Sequence, residues 1–173
     1  MMSRWVTALA VLMVAAGCSS VTHHGELRPA GSGVAGGALP DMAAHEVLSF
    51  GGLAICVTAG AATITAVTPR DASNGFSVQD WGVRKLPNPA LGAERKPLAS
   101  FAGFTHHAVT EPCSANRSAI PAELAVQVTK PNDATATATG FDVHYEVGGR
   151  SQSMVVPFTL VLCASTDHAW PCS

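Results

Sequence analysis

Histidines close to carboxylates are the first side chains in this sequence that could do chemistry. His106 and His107 are adjacent, so on a strand they would point to opposite faces and could not jointly hold one metal ion. His144 lies two residues from both Asp142 and Glu146, which would place three polar side chains on one solvated strand face. We therefore predict no metal ligands and no cofactor.

Nucleophilic catalysis has equally little support in the sequence. The chain contains no G-x-S-x-G segment, the strained turn that exposes the nucleophilic serine of α/β hydrolases. We predict no catalytic residues. A small extracytoplasmic hydrolase is the main alternative, and it would need a pocket that joins His106 or His107 to a carboxylate such as Glu111. A carrier of metal or of a small ligand is the third alternative.

The cysteines indicate stability rather than redox chemistry. The chain has five of them and no C-x-x-C spacing, which a thioredoxin-like site would require. If Cys18 is set apart for the reason given below, an even number remains, and two disulfides are expected in a chain that leaves the cytoplasm. Three pairings are open, and we favour Cys163 with Cys172 and Cys56 with Cys113.

The first residues are typical of a secretion signal. Arg4 precedes a run of twelve mostly apolar residues, from Trp5 to Ala16. This run is shorter than the roughly 20 residues that a membrane-spanning helix needs. The N-terminal segment, residues 1–17, is therefore predicted to be a signal helix that is removed on export.

The small residues before Cys18 resemble the lipobox of bacterial lipoproteins. Ala16, Gly17 and Cys18 match the pattern, while Ala15 stands where the family usually has leucine; an ordinary signal-peptidase site is the alternative. The resemblance implies a diacylglycerol on Cys18, and with it an anchor in the lipid bilayer on the extracytoplasmic face of the cell membrane. Two or more acyl chains give stable attachment, whereas one gives only marginal binding.

The layout of the whole chain looks like that of uncharacterised cell-envelope lipoproteins of actinobacterial type. A Gly- and Pro-rich segment, residues 18–44, has no sustained period and is predicted to be a flexible tether. A single β domain is then expected over residues 45–173. The resemblance implies an extracytoplasmic location but no particular activity.

Alternating polarity predicts that this domain is all-β. Phe141, Val143, Tyr145 and Val147 alternate with polar residues, which indicates a strand with one buried and one wet face. Gly148 and Gly149 suit the tight turn of a hairpin. Further strands are predicted at 53–57, 63–67, 76–83 with a bulge near Asp80, 123–128 and 154–162. We expect a two-sheet β-sandwich, immunoglobulin-like because Trp81 lies between Cys56 and Cys163.

The irregular stretch from Arg84 to Ile120 is the predicted contact surface, since long insertions without repeating structure are often functional. Its candidate contact residues are basic, aromatic or histidine: Arg84, Lys85, Arg95, Lys96, Phe101, Phe104, His106 and His107. Nucleic acid is not expected as a partner, because 10 Lys and Arg stand against 12 Asp and Glu. The sequence thus favours a binding or structural module of the cell envelope, whose partner is an envelope protein of unknown identity.

Overall fold

The computed structural model describes residues 25–31, 35–86, 89–106, 108–114 and 120–172. The predicted signal segment, Cys18 and His107 lie outside the described residues. Among those residues, no helix is both long and apolar enough to cross a membrane. These residues form twelve strands and one short 3-10 helix, Leu98–Ser100. The strands are β1 (Leu27–Pro29), β2 (Ala35–Leu39), β3 (Leu48–Val57), β4 (Ala62–Arg70), β5 (Ser77–Lys85), β6 (Ala93–Glu94), β7 (Ala108–Val109), β8 (Ala122–Thr129), β9 (Ala136–Ala138), β10 (Gly140–Val147), β11 (Arg150–Val156) and β12 (Phe158–Leu162).

These strands form an all-β sandwich, as the sequence predicts. The first sheet has the order β1-β3-β8-β5, with β6 also paired to β3, and the second has the order β11-β10-β4-β7. A third, smaller sheet has the order β2-β12-β9. Buried side chains from all three sheets form one hydrophobic cluster, which includes Leu124 of β8, Phe141 of β10 and Leu160 of β12. The immunoglobulin-like topology stays a prediction.

Strand β10 confirms the alternation seen in the sequence. Phe141, Val143, Tyr145 and Val147 are buried, and the residues between them face outward. Gly148 and Gly149 both have positive φ, 56° and 73°, which side chains with a Cβ rarely adopt. The hairpin to β11 therefore closes at the predicted turn.

The bulge predicted near Asp80 is also confirmed. The register between β5 and β8 shifts between Val78 and Asp80. One extra residue in β5 reverses the direction in which the following side chains point. This shift brings Trp81 and Val83 into phase with the core.

The predicted tether is wrong over the part of it that the structure describes. Strand β1 pairs with β3 and strand β2 runs parallel to β12, while Leu27 and Met42 are buried, at 3% and 1% exposure. A Cβ on Gly36 would lie 2.9 Å from the carbonyl oxygen of Thr159. Gly36 thus permits close packing against β12. The sequence had indicated that this glycine belongs to a flexible segment.

The returning strand predicted at 154–162 is two strands rather than one. Pro157 separates β11 from β12, and proline cannot donate a ladder hydrogen bond. Strand β11 belongs to the second sheet and β12 to the third. The chain thus changes sheets at this proline.

The two disulfides are the pairing that the sequence favours. Cys56 is bonded to Cys113, and Cys163 is bonded to Cys172. The first joins β3 to the segment after β7. The second closes the C-terminal loop, on which Trp170 is 89% exposed. Both half-cystines of this loop pack against Val161 and Ala38.

Replacing Leu27 tests whether β1 belongs to the folded domain. Because its side chain is almost fully buried, Leu27→Ala should lower the free energy of unfolding by about 2–5 kcal/mol, measured by urea denaturation. Ile120→Ala, at a side chain 50% exposed, is the control and should change it by less than about 0.5 kcal/mol. Equal, small effects of the two substitutions would show that β1 is not part of the folded domain.

The C-terminal loop should contribute to acid sensitivity through Asp167. Hydrogen bonds from the Thr135 hydroxyl and then from the Ala169 N–H lower the pKa of this carboxyl. A depressed folded-state pKa gives stability that is present above the unfolded value, about 4, and is lost as pH falls through the folded value. Thr135→Val should raise the pKa of Asp167, measured by NMR titration.

The matched control is Thr139→Val, because the Thr139 hydroxyl hydrogen-bonds to Asp71 instead. This variant should leave the titration midpoint of Asp167 in place. An unchanged midpoint in Thr135→Val would contradict the assigned cause.

Candidate functional site

A buried carboxylate on β8 is the first element of the site. Glu123 has no exposed surface, and its Oε1 accepts hydrogen bonds from the N–H groups of Gly52 and Leu91, both at 2.7 Å. Its Oε2 accepts one from Nε of Arg84, also at 2.7 Å. A buried charge is tolerated when it is paired and hydrogen-bonded in this way.

Arg84 connects this carboxylate to the loop between β5 and β7, which contains β6. Its Nη1 donates to the carbonyl of Ala102 at 3.2 Å, and its guanidinium lies over the ring of Phe104, 4.1 Å from the centroid. A cation over an aromatic face is attracted by the ring quadrupole. Arg84 therefore holds the turn 102–104 against β5.

The same loop is also attached through a second side chain of β8 and through apolar packing. The N–H of Leu98 donates to Oε1 of Gln127 at 2.8 Å. Leu91, Leu98 and Ala125 form a small buried cluster, against which Phe101 and Phe104 pack. The loop thus covers the face of the first sheet that lies away from the main core.

An open groove of about 380 Å³ lies between this loop and the outer edge of β5. Its volume is within the range of roughly 300–1,000 Å³ that small-molecule sites occupy. Leu98 contributes to its apolar surface. The side chains that give it chemical character are three aromatic and three polar ones: Trp81, Phe101, Phe104, Asp80, Thr105 and His106.

The bulge in β5 places a carboxylate and an imidazole together in this groove. Oδ1 of Asp80 accepts a hydrogen bond from the backbone N–H of Trp81 at 2.8 Å, and it lies 3.1 Å from Nε2 of His106. The imidazole also lies against the indole of Trp81, with ring centroids 4.6 Å apart. The three side chains therefore hold one another in position.

Backbone pairing fixes the position of His106. Val83 and Thr105 exchange two N–H to C=O hydrogen bonds, of 2.9 and 3.1 Å. This bridge adds one residue to the outer edge of β5 and ends the loop beside Trp81. The groove is therefore formed before any ligand binds.

A second cavity of about 240 Å³ lies on the other side of this bridge. Arg84, Lys85 and Glu111 line it together with Thr105. His106 lines the groove and Glu111 lines the second cavity, so neither of these two pockets joins the two side chains. Within the described ranges, no hydroxyl hydrogen-bonds to His106, and no three His, Cys, Asp or Glu side chains cluster as a metal site would need.

The structure divides the described contact candidates into three groups. Phe101, Phe104 and His106 line the groove, whereas Lys85 and Lys96 are exposed and form no ion pair within the part of the chain described. Arg84 and Arg95 form attachments within the domain, and their role as contact residues stays a prediction. Arg84 binds Glu123. Arg95 binds the carbonyls of Pro40 and Asp41 and the carboxylate of Glu46.

Sequence reasoning missed the roles of Glu123, Asp80 and Gln127. Glu123 and Gln127 alternate with apolar residues along β8, a pattern that by itself indicates a face turned to water. The disrupted phase at Asp80 and Trp81 was the signal in the sequence that could have assigned Asp80 to the groove.

No protein-family model matches this chain, and no curated protein or solved structure is similar to it.

The clamp formed by Glu123 can be tested with a substitution of equal size. In Glu123→Gln the remaining oxygen can still accept from Gly52 and Leu91, but the amide NH₂ would face the Nε–H of Arg84, so two donors meet. Breaking a buried ion pair costs about 3–5 kcal/mol. We therefore expect the free energy of unfolding, measured by urea denaturation, to fall by about that amount.

Glu94→Gln is the control, since Glu94 is exposed in β6. Adding Arg84→Met to Glu123→Gln should restore part of the lost stability, because the uncompensated cation is removed. A Glu123→Gln protein as stable as Glu94→Gln would show that the pair does not hold the loop.

Proposed function

We propose that this protein is a lipid-anchored binding module of the cell envelope, and that it presents the groove beside β5 to its ligand. The observation that carries the proposal is the groove itself, with Trp81, Phe101 and Phe104 next to Asp80 and His106. Apolar walls with a few placed polar groups are what small-ligand sites share. The loop around it is attached at Glu123 and Gln127, so little ordering is needed on binding.

The disulfides support the proposed location. Both pairs are formed, and disulfides persist in oxidising, extracytoplasmic compartments. The lipobox-like residues at Ala16, Gly17 and Cys18 add the proposed attachment to the membrane.

The position of the first described residues supports an anchor close to one end of the sandwich. Gly25 packs against the backbone of Ala59, in the turn between β3 and β4. It follows Cys18 by seven residues, which span at most about 25 Å when fully extended. An acylated Cys18 would therefore keep this end of the sandwich near the bilayer and leave the groove, on the side of the first sheet, accessible.

The two alternatives receive less support from the geometry. A hydrolase would use Asp80 and His106 as an acid–base pair, but it would also need a nucleophile within reach of the imidazole. A metal carrier would need further ligands beside His106. Neither gains a specific observation in the described part of the chain.

The anchor is tested by comparing the wild-type chain with Cys18→Ser in the source cells. The wild-type protein should be found in the membrane fraction, with a diacylglycerol mass on a processed N-terminal Cys18. The serine variant should lack this mass and leave the membrane fraction, because no acyl chain holds it. An unmodified wild-type N-terminus would reject the anchor.

The groove is tested separately by photo-cross-linking in intact cells. Ala99 is exposed at the groove, whereas Thr63 is exposed on β4 of the second sheet. A photoreactive residue at position 99 should yield a discrete adduct that the same residue at position 63 does not. Equal adducts from both positions, or an adduct from position 63 alone, would contradict the assignment of the groove as the binding surface.

A further inference from the structure

We propose that the groove beside β5 binds a saccharide ring, with Phe101 against the face of the ring and Asp80, Thr105 and His106 bonded to its hydroxyls. This inference rests on the proposed binding function and names the ligand class. A sugar ring has apolar C–H faces and a rim of hydroxyl groups. The groove combines the same two chemistries within one small volume.

Phe101 is the aromatic side chain best placed to receive the C–H face. Trp81 already carries the imidazole of His106 on its indole, and Phe104 carries the guanidinium of Arg84. Among the described residues, no ring or cation stacks on Phe101, which is half-buried in the groove wall. The electron-rich face of its ring attracts groups with partial positive charge, such as polarised C–H bonds.

Asp80 supplies a charged acceptor for a hydroxyl. Its Oδ1 receives the Trp81 N–H and faces His106, but its Oδ2 accepts no hydrogen bond from the described residues. The side chain is 39% exposed. A hydroxyl that donates to an ionised carboxylate makes one of the stronger hydrogen bonds in proteins.

Thr105 and His106 add weaker partners next to this carboxylate. The hydroxyl of Thr105 has one long contact, 3.5 Å to the carbonyl of Val83, so a ligand can improve on it. The imidazole of His106 uses Nε2 toward Asp80, and its Nδ1 has no partner among the described residues. Such groups suit a ligand that both donates and accepts along its rim.

The use of the aromatic faces favours a neutral ligand over a cation. Asp80 is the carboxylate among the lining residues, and its Oδ1 already faces the imidazole of His106. An aromatic cage for an ammonium group needs open ring faces, but in two of the three rings a face is already in use. A volume of about 380 Å³ is near the lower limit for ligand sites, which favours one or two sugar rings.

Trp81 makes the proposal measurable by fluorescence. Besides Trp5 in the predicted signal segment, the sequence has tryptophan at positions 81 and 170. Trp170→Phe in the processed chain therefore leaves Trp81, in the groove wall, as the reporter. The probes are neutral disaccharides, namely chitobiose, cellobiose, lactose and trehalose, and choline serves as the cationic probe.

We expect at least one disaccharide to change the Trp81 emission in a saturable way, with a Kd of about 1 mM or tighter that does not depend on salt. Asp80→Asn and Phe101→Leu should each weaken this binding about tenfold, a loss typical of one good polar or aromatic contact. Asp80→Asn preserves the side-chain volume, and the asparagine can still accept the hydrogen bond from the Trp81 backbone N–H. Phe101→Leu removes the ring and keeps an apolar side chain. Asp142→Asn, at a carboxylate on β10, is the matched control and should bind like the parent.

Other results would overturn the ligand class. A salt-sensitive response to choline alone would assign the groove to a cation, and equal binding by the parent and Phe101→Leu would remove the stacking contact. If no disaccharide changes the Trp81 emission while position 99 still gives its specific adduct in cells, the saccharide proposal fails and the binding function stands. If both experiments fail, the groove is not the binding surface.

Discussion

The charge of Glu123, held without exposure to water, is the constraint on which the groove depends. An ionised carboxylate inside a protein is costly unless donors surround it, and here the donors come from three segments: Gly52 in β3, Leu91 in the loop and Arg84 in β5. The hydrogen bonds to Glu123 thus join β3 and β5 to a loop that has little regular structure. A Cβ on Gly51 would lie 2.7 Å from Oε1 of Glu123, so the neighbouring strand is also adapted to this carboxylate.

The pairing of Arg84 with Glu123 also determines which charges the groove presents. Because Arg84 is neutralised by Glu123, it can stack on Phe104 and bind Ala102 without leaving a free positive charge at the groove. Arg95 is similarly engaged by Glu46 and by backbone carbonyls. A stretch that looks basic in the sequence therefore presents a groove in which Asp80, Thr105 and His106 are the polar features. Its ligand chemistry follows from those three side chains and the rings around them.

Local patterns in the sequence were enough to predict the strands whose two faces differ in polarity. In β10 the polar residues do face water, so alternation gives the right answer, and the same holds for the hairpin at Gly148. In β8, however, Glu123 alternates in the same way and is buried, because a loop from elsewhere in the chain covers that face. Strand β2 has no polarity pattern at all, and its pairing with β12 joins residues more than a hundred positions apart. The disrupted phase at Asp80 was visible in the sequence, but its partner His106 was not, because only the bridge between Val83 and Thr105 brings the two together.

Including β1 and β2 in the fold also changes how an anchored protein would behave. A flexible tether over residues 18–44 would let the domain tumble at a distance of roughly 30 Å from the bilayer, whereas Gly25, the first described residue, lies at one end of the sandwich and follows Cys18 by seven residues. Ala122, at the start of β8, pairs with Ile55 and Lys85 near that end, and Thr129 is at the other end of the strand. The disulfide loop that exposes Trp170 is bonded to Thr135, beyond the far end of β8. The C-terminal loop therefore lies at the end of the sandwich opposite Gly25, and the groove opens on the side of the first sheet.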